Sequence, residues 1–370
     1  LRISEDQVLG IYKRTLSPLA WSPPGVSLIA ARKIWPSTQG KGIVVAILDT
    51  GVDYNHPDLK GSIIGGISFV SAEKDFIDLN GHGTHVAGTV AANGRILGVA
   101  PQSKILAVKV LGQDGYGSNQ GISKGLEYAR RWKGTRGEVV NVVNMSLGGS
   151  TGDPGLHYEI KKAVQAGITV VCAAGNVGDG QKDTREISYP AYYLETIAVG
   201  AVDLKTGIAN FSNSNNRINI VAPGVKTYST YPGGKYVELS GTSMAAPHIS
   251  GAVALICARY KKRFGVFPDM RTVSLLLQYS SIDLGEVGYD ELYGFGLFSF
   301  NPDGGKNFWF FSGSRQYQLN GREAELKAPL LKNGGEIYAP LQEISDLLGS
   351  DSNPVPATAG YPEDGLQIWV

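Results

Sequence analysis

A chain of 370 residues, 42% hydrophobic and 18% charged, has the composition of a soluble globular protein with one large domain and room for a small one. Its net charge of +1 gives no electrostatic case for nucleic acid or an anionic membrane. No apolar run reaches the roughly 18 residues of a membrane span, and Cys172 and Cys257 sit in apolar surroundings (VVCAAG, LICAR) that suit small buried side chains better than a disulfide or a reactive thiol.

The chain starts at Leu1 without a charged-then-apolar leader, so a leader has been removed or never existed. Residues 1–22 carry a short helical pattern (Ile3, Val8, Leu9, Ile11) ending in Ser22-Pro23-Pro24-Gly25, and read as an extension lying on the domain. Ile43 to Leu48 is a β-branched run ending in Asp49-Thr50-Gly51, as in a strand buried on both faces. Asn80-Gly81-His82-Gly83 opens a helix of small residues, Val86 to Ala92. A strand at 105–110, a glycine-rich loop at 112–117 and a helix to about Arg131 follow. Further strands are expected at 139–145, 168–174, 196–202 and 218–222, with a helix at 159–166. Gly241 to Tyr260 opens with small residues, Gly241, Thr242 and Ser243, that let another backbone come close, and continues as an apolar helix. Strands alternating with helices at this spacing argue an α/β fold with a mostly parallel central sheet and helices on both faces.

After Gly296 the character changes. Residues 308–322 are aromatic and strand-like, Leu319-Asn320-Gly321-Arg322 is a hairpin signal, 340–348 reads as a short amphipathic helix and 366–370 as a last strand. The expected division is an extension at 1–22, a main domain at 23–300 and a small α+β accessory domain at 301–370.

Three polar residues fall at strand or helix ends in the order Asp49, His82, Ser243. A serine hydroxyl attacks well only when a neighbouring imidazole takes its proton. Imidazole is the side chain that accepts and returns a proton near neutrality, and a buried carboxylate on its other nitrogen fixes the tautomer and stabilises the imidazolium. Backbone N–H groups at the start of a helix suit a developing negative charge. A zinc reading of HGTH fails, because zinc proteases need HExxH spacing with a glutamate base.

Over roughly residues 24–300 the chain resembles the subtilases, the subtilisin-like serine proteases, whose triad runs in this chain order. LDTGVD around Asp49, NGHGTHVAG around His82, GTSMAAPH around Ser243, MSLGG at 145–149 and CAAGN at 172–176 carry the resemblance. It implies a three-layer subtilisin-like fold and an endopeptidase forming an acyl-enzyme on Ser243, with His82 as base then acid, Asp49 orienting it, and Asn176 joining the Ser243 N–H at the oxyanion. Ser146-Leu147-Gly148 and Gly115-Tyr116-Gly117 would edge the cleft, Thr242 would lie against the substrate, and Ala173, Ala174, Gly175 and Ser188 would line the first specificity pocket. That pocket is expected to prefer large apolar residues before the cut bond. The partners implied are protein and peptide substrates. The runner-up is a catalytically silent scaffold acting as a binding protein.

The stretch from VCAAGN to SYPA is similar to bacterial intracellular subtilisins, which implies a cytoplasmic protein whose residues 1–22 cross the cleft as an inhibitory arm. His56 is expected in a turn, His85 and His248 in structural roles, His157 in a surface loop, and Arg130-Arg131-Trp132-Lys133 as a solvated helix end. The loop 93–98 is short and carries Arg95, against the family's tight calcium site, although Asp58 matches one of its ligands. No cofactor is expected to be required; a weak calcium or sodium site near the carbonyls of Ala191 and Tyr193 is the one left open. Residues 301–370 resemble the small N-terminal-like module of copper amine oxidases, which is found outside the cell and would place the protein there instead.

Overall fold

The computed structural model describes residues 20–301 and, as backbone, five short strands beyond them. In chain order the main body holds α1 (Pro24–Leu28), α2 (Ala31–Ile34), β1 (Val44–Asp49), β2 (Ile63–Ser68), α3 (His82–Ala91), β3 (Lys104–Lys109), α4 (Asn119–Arg131) and β4 (Val140–Met145). It continues with α5 (Pro154–Gln165), β5 (Thr169–Ala173), β6 (Ile197–Val202), β7 (Ile218–Pro223), β8 (Thr227–Tyr231), β9 (Lys235–Leu239), α6 (Thr242–Phe264), α7 (Met270–Tyr279), β10 (Ser281–Ile282) and β11 (Leu297–Phe298).

One nine-stranded sheet runs in the order β10-β11-β7-β6-β5-β4-β1-β3-β2 and is parallel except for the β10–β11 pair. Every residue of β1 and β4 is buried. Side chains alternate across the pleat: Val45 and Ile47 join a cluster with α3 and α6, while Val44, Ala46 and Leu48 join one with α4 and α5. From β1 the chain goes to the edge strand β2 and returns to β3 between them, then crosses to β4 on the other side of β1 and builds the other way. That reversal is a topological switch point, where the strands' carboxyl ends leave a crevice. Asp49 ends β1 and Ser146 follows β4, so both stand at it.

Helix starts follow local chemistry: Ser118 accepts from Gly121 N at 3.0 Å, Asp153 from Leu156 N at 2.7 Å and Asp269 from Thr272 N at 2.7 Å. The Asp153 cap, with Pro154 at the first position, starts α5 earlier than the expected 159 and puts His157 on that helix rather than in a loop. There it stacks on Tyr193 at 3.9 Å and pairs with Glu195 at 2.8 Å. Trp21 and Ser22, assigned to the extension, are part of the body: Leu97 N donates to Trp21 O at 2.9 Å, and Arg32 holds Ser22 Oγ at 2.8 Å. The helical pattern at 3–11 lies outside the described residues. Both cysteines are free and buried.

Beyond residue 301, strands β12 (Phe308–Phe310), β13 (Gln316–Leu319) and β14 (Arg322–Glu325) pair antiparallel, as do β15 (Leu331–Asn333) and β16 (Glu336–Tyr338). Leu319 faces Arg322, the register the Asn-Gly signal called for. The helix expected at 340–348 and the strand at 366–370 lie outside the described residues.

Candidate active site

β1 delivers Asp49 to the crevice with no exposed surface. α3 starts at His82, and its Nδ1 lies 2.7 Å from Asp49 Oδ1 with the ring 26% exposed. The approach is close because position 83 is glycine: a Cβ there would fall 2.1 Å from the Gly51 carbonyl. The second Asp49 oxygen is buried without a partner among the described residues, while Oδ1 accepts both from His82 and from Thr50 N, each at 2.7 Å. Burial alone would push the His82 pKa down; the Asp49 charge and hydrogen bond, with the Asp78 charge behind them, outweigh it and hold it above the ordinary value.

α6 begins at Thr242, so Ser243 sits in its first turn. The Ser243 hydroxyl donates to the Ser146 carbonyl at 3.1 Å, and among the described residues no hydrogen bond joins it to His82. The exposed Asn176 has its Oδ1 held by Thr242 N at 2.8 Å and Thr242 Oγ1 at 2.9 Å, which leaves its Nδ2 as the free donor beside Ser243. Thr242 thus acts on Asn176, and its Oγ1 also accepts from Gly175 N at 3.1 Å.

A cavity of about 360 Å³ opens beside His82 between Gly115-Tyr116-Gly117 and Ser146-Leu147-Gly148, the two expected edges. Its apolar lining comes from Leu111, Ile122, Leu147 and Leu156, three of which sequence reasoning did not single out. They come from four separate stretches, so no motif could announce them. Ala173, Ala174, Gly175 and Ser188, expected to line a first pocket, do not line this cavity. Ala173, Ala174 and Ser188 are buried, and Ser188 fills the space beside Gly148 and Gly175, where a Cβ would meet it at 2.4 and 3.0 Å respectively.

Two further groups escaped the sequence reading. Asp78, 3% exposed, accepts through Oδ1 from Thr50 Oγ1, Asn80 N and Gly81 N, and through Oδ2 from Thr84 N and Oγ1, all at 2.6–3.0 Å. It therefore ties the turn after Asp49 to the start of the His82 helix; the signal was an acid four residues ahead of a helix start. Lys109, fully buried, pairs with Glu73 at 2.8 Å and donates to Thr50 O. The lysine's hydrogen bond holds the Glu73 carboxyl below its ordinary range.

The other histidines are structural. His85 and His248 are fully buried, with Nε2 of the first 2.9 Å from Thr227 O and Nδ1 of the second 2.9 Å from Met244 O. Burial pushes both pKa values down to about 4. His56 sits in its turn, Nδ1 accepting from Asp58 N at 3.1 Å. Arg131 pairs with Glu127 within α4 and Arg130 with Glu159 of α5, so the basic run is a helix end with local partners. Asp58 spends its carboxylate on Arg95 N and Ile96 N, each at 2.9 Å, and on the Tyr236 hydroxyl at 3.0 Å. No cluster of three or more His, Cys, Asp or Glu suited to a metal occurs among the described residues. Among them, no helix is long and apolar enough to cross a membrane.

The Subtilase family profile matches residues 40–296. An intracellular serine protease of Paenibacillus polymyxa is 50% identical over 242 residues, 63% of this chain and 72% of that protein. The major intracellular serine protease of Bacillus subtilis (strain 168) is 50% identical over 251 residues, 65% of this chain and 77% of its own length. Subtilisin DY of Bacillus licheniformis is 46% identical over 243 residues, 64% of this chain and 85% of its own.

Proposed function

This chain belongs to the subtilase family and is a serine endopeptidase, and we propose that it works through Ser243 as nucleophile, His82 as base and then acid, Asp49 as the orienting carboxylate and Asn176 as an oxyanion donor. The observation that carries this is the 2.7 Å bond from His82 Nδ1 to the wholly buried Asp49. It commits Nδ1 as the protonated nitrogen and leaves Nε2 as the basic one.

A substrate backbone lies between the edges at 115–117 and 146–148 as an added strand. The Ser243 hydroxyl leaves the Ser146 carbonyl, gives its proton to His82 Nε2 and bonds to the scissile carbon. The carbonyl oxygen gains the negative charge and accepts from Ser243 N and Asn176 Nδ2. His82 then returns the proton to the departing amine, and water, deprotonated by the same nitrogen, releases the acyl group. Selection rests on the recess of Leu111, Ile122, Leu147 and Leu156, which suits a large apolar side chain on the acyl side of the cut.

The test is hydrolysis of a chromogenic tetrapeptide with Phe before the scissile bond, by wild type and Ser243→Ala, with mass spectrometry of both proteins. Turnover lost in the variant supports the assignment; equal turnover overturns it. If the wild type alone is shortened near residue 22, the preceding residues are an arm that the enzyme removes from itself. The Pro190, Ala191 and Tyr193 carbonyls converge on Thr196 Oγ1 at 3.2, 3.0 and 3.0 Å, a neutral oxygen set suited to a weakly held sodium or calcium ion. Relatives named as intracellular support a cytoplasmic location. By their resemblance to the small N-terminal module of copper amine oxidases, residues 301–370 are proposed as an accessory domain; fractionation of cells separates the exterior location which that resemblance implies from the cytoplasm.

A further inference from the structure

The first turn of α6 is missing a bond. In a helix the carbonyl of residue i accepts from the N–H of residue i+4, and four residues beyond Ser243 stands Pro247, which has no N–H. The Ser243 carbonyl is instead met by the hydroxyl of Ser146 at 2.9 Å. The same two residues are joined in the opposite sense, Ser243 Oγ donating to Ser146 O at 3.1 Å. The nucleophile is thus clasped to the cleft edge by two antiparallel bonds. Attack on a substrate breaks one of them, because it uses the Ser243 proton. During the reaction the clasp depends wholly on Ser146 Oγ remaining a donor.

A hydroxyl rotates, and which way it donates is decided by its surroundings. Asn144 on β4 gives Nδ2 to Ser146 Oγ at 2.9 Å, and its Oδ1 accepts from Ser250 Oγ at 2.8 Å. Ser250 and Asn144 are fully buried and Ser146 is 3% exposed. Ser250 lies seven residues after Ser243 on α6, two turns along the same face. Its proton holds the Asn144 amide in one orientation, with Nδ2 toward Ser146. With its acceptor side filled by that N–H, the Ser146 hydroxyl turns its own proton to the Ser243 carbonyl. A flipped Asn144 would present Oδ1 to Ser146, take that proton, and leave the Ser243 carbonyl with no donor at the position Pro247 vacates.

We infer that Ser250 and Asn144 are positioning residues for catalysis: they set the donor direction of the Ser146 hydroxyl, which stands in for the helix bond Pro247 cannot make and holds Ser243 in place while its own hydroxyl is engaged in attack. Neither touches the substrate. The inference rests on the assignment of Ser243 as nucleophile.

The test uses the full chain with Ser250→Ala, Ser146→Ala and the double variant. Ser250→Ala should lower kcat about three- to tenfold, the range of one hydrogen bond, with KM within about twofold, since the clasp keeps both bonds until attack. A peptide boronic acid, which forms a tetrahedral adduct with the nucleophile, should lose affinity by the same factor. Because Ser250 acts through Ser146, the double variant should be no slower than Ser146→Ala alone. Wild-type kcat in Ser250→Ala, or losses that multiply in the double variant, would overturn the inference. Should the alanine variant lose stability, Ser250→Cys, near-isosteric but a weak donor, must show the same fall in kcat at unchanged KM. Peptide mapping after fluorophosphonate labelling separates the two levels. Label absent from Ser243 in the wild type sinks the nucleophile assignment; label on Ser243 with unchanged kcat in the variants sinks only the relay.

Discussion

Acid should unfold this protein through two histidines that take no part in its chemistry. His85 and His248 are buried with pKa values of about 4 in the folded state, against ~6.5 in an unfolded chain. Burial is the main cause in both, and neither has a carboxylate hydrogen-bonded to it. Because the folded values are depressed, the unfolded chain binds more protons between pH 6.5 and 4. Stability is therefore full above about pH 7 and falls as the pH drops through that window. At pH 5 each histidine costs about 2 kcal/mol by proton linkage, about 4 kcal/mol for the pair, a large part of the 5–15 kcal/mol typical of a folded domain. The assay is guanidinium unfolding of Ser243→Ala, used so that the protein does not digest itself, at pH 7.5 and pH 5.0. In His248→Gln the difference between the two pH values should shrink by about 2 kcal/mol, and again in His85→Gln. A difference below about 1 kcal/mol in the parent, or one that survives both substitutions, would refute the reasoning.

Asn176→Ala should lower kcat about 10²–10³-fold with little change in KM, the range known for the oxyanion asparagine of subtilisin itself; a loss under tenfold would mean that the amide does not reach the oxyanion. Asp78→Asn removes a charge that raises the His82 pKa, so the imidazole stays neutral to lower pH and the acid limb of kcat/KM should move down. An unmoved limb with reduced activity would leave Asp78 a purely structural cap. Gly25→Ala would place a methyl 2.4 Å from His248 Nε2 and should cost about 1–3 kcal/mol of stability while leaving the kinetics of the folded enzyme intact.

What the sequence made legible is what one continuous stretch can carry. The run Val44 to Asp49 announces a strand buried on both faces, and its acid at the carboxyl end announces where the site will be. The small residues around His82 and Ser243 announce close approach, and Gly83 has room for nothing larger. Elements whose pattern is broken went unread. β2 carries Gly65 and Gly66 in mid-strand, which hides the periodicity of an edge strand. The β8–β9 hairpin turns through Gly233 and Gly234, both at positive φ, within a Pro-Gly-Gly signal that was there to be used. The apolar recess and the Ser250–Asn144–Ser146 chain are composed from distant segments, so nothing local marks them. Asn144 read as one more residue of a buried strand, as did Asn141 on the same strand; each spends its amide on a partner, Asn141 on Val44 N and Asn144 on Ser146 and Ser250.

The charges beneath the site explain why a histidine that is three-quarters buried is nonetheless held above its ordinary pKa. Desolvation opposes a charged imidazole, yet three carboxylates stand within the same few loops: Asp49 on the ring itself, Asp78 binding the turn to the helix, and Glu73. Lys109 answers one of them directly, and its hydrogen bond keeps Glu73 ionised. That leaves Asp49 and Asp78 as the uncompensated pair, and their field is satisfied only when His82 carries its proton. In the proposed mechanism the proton arrives when Ser243 attacks, so the charge that the resting site lacks would be supplied in the transition state. An arrangement with a second buried cation beside Asp49 would be more neutral at rest and a poorer catalyst, since attack would then put a charge where none was wanted. Lys109 is tolerable in the core because Glu73 and the Thr50 carbonyl take its ammonium.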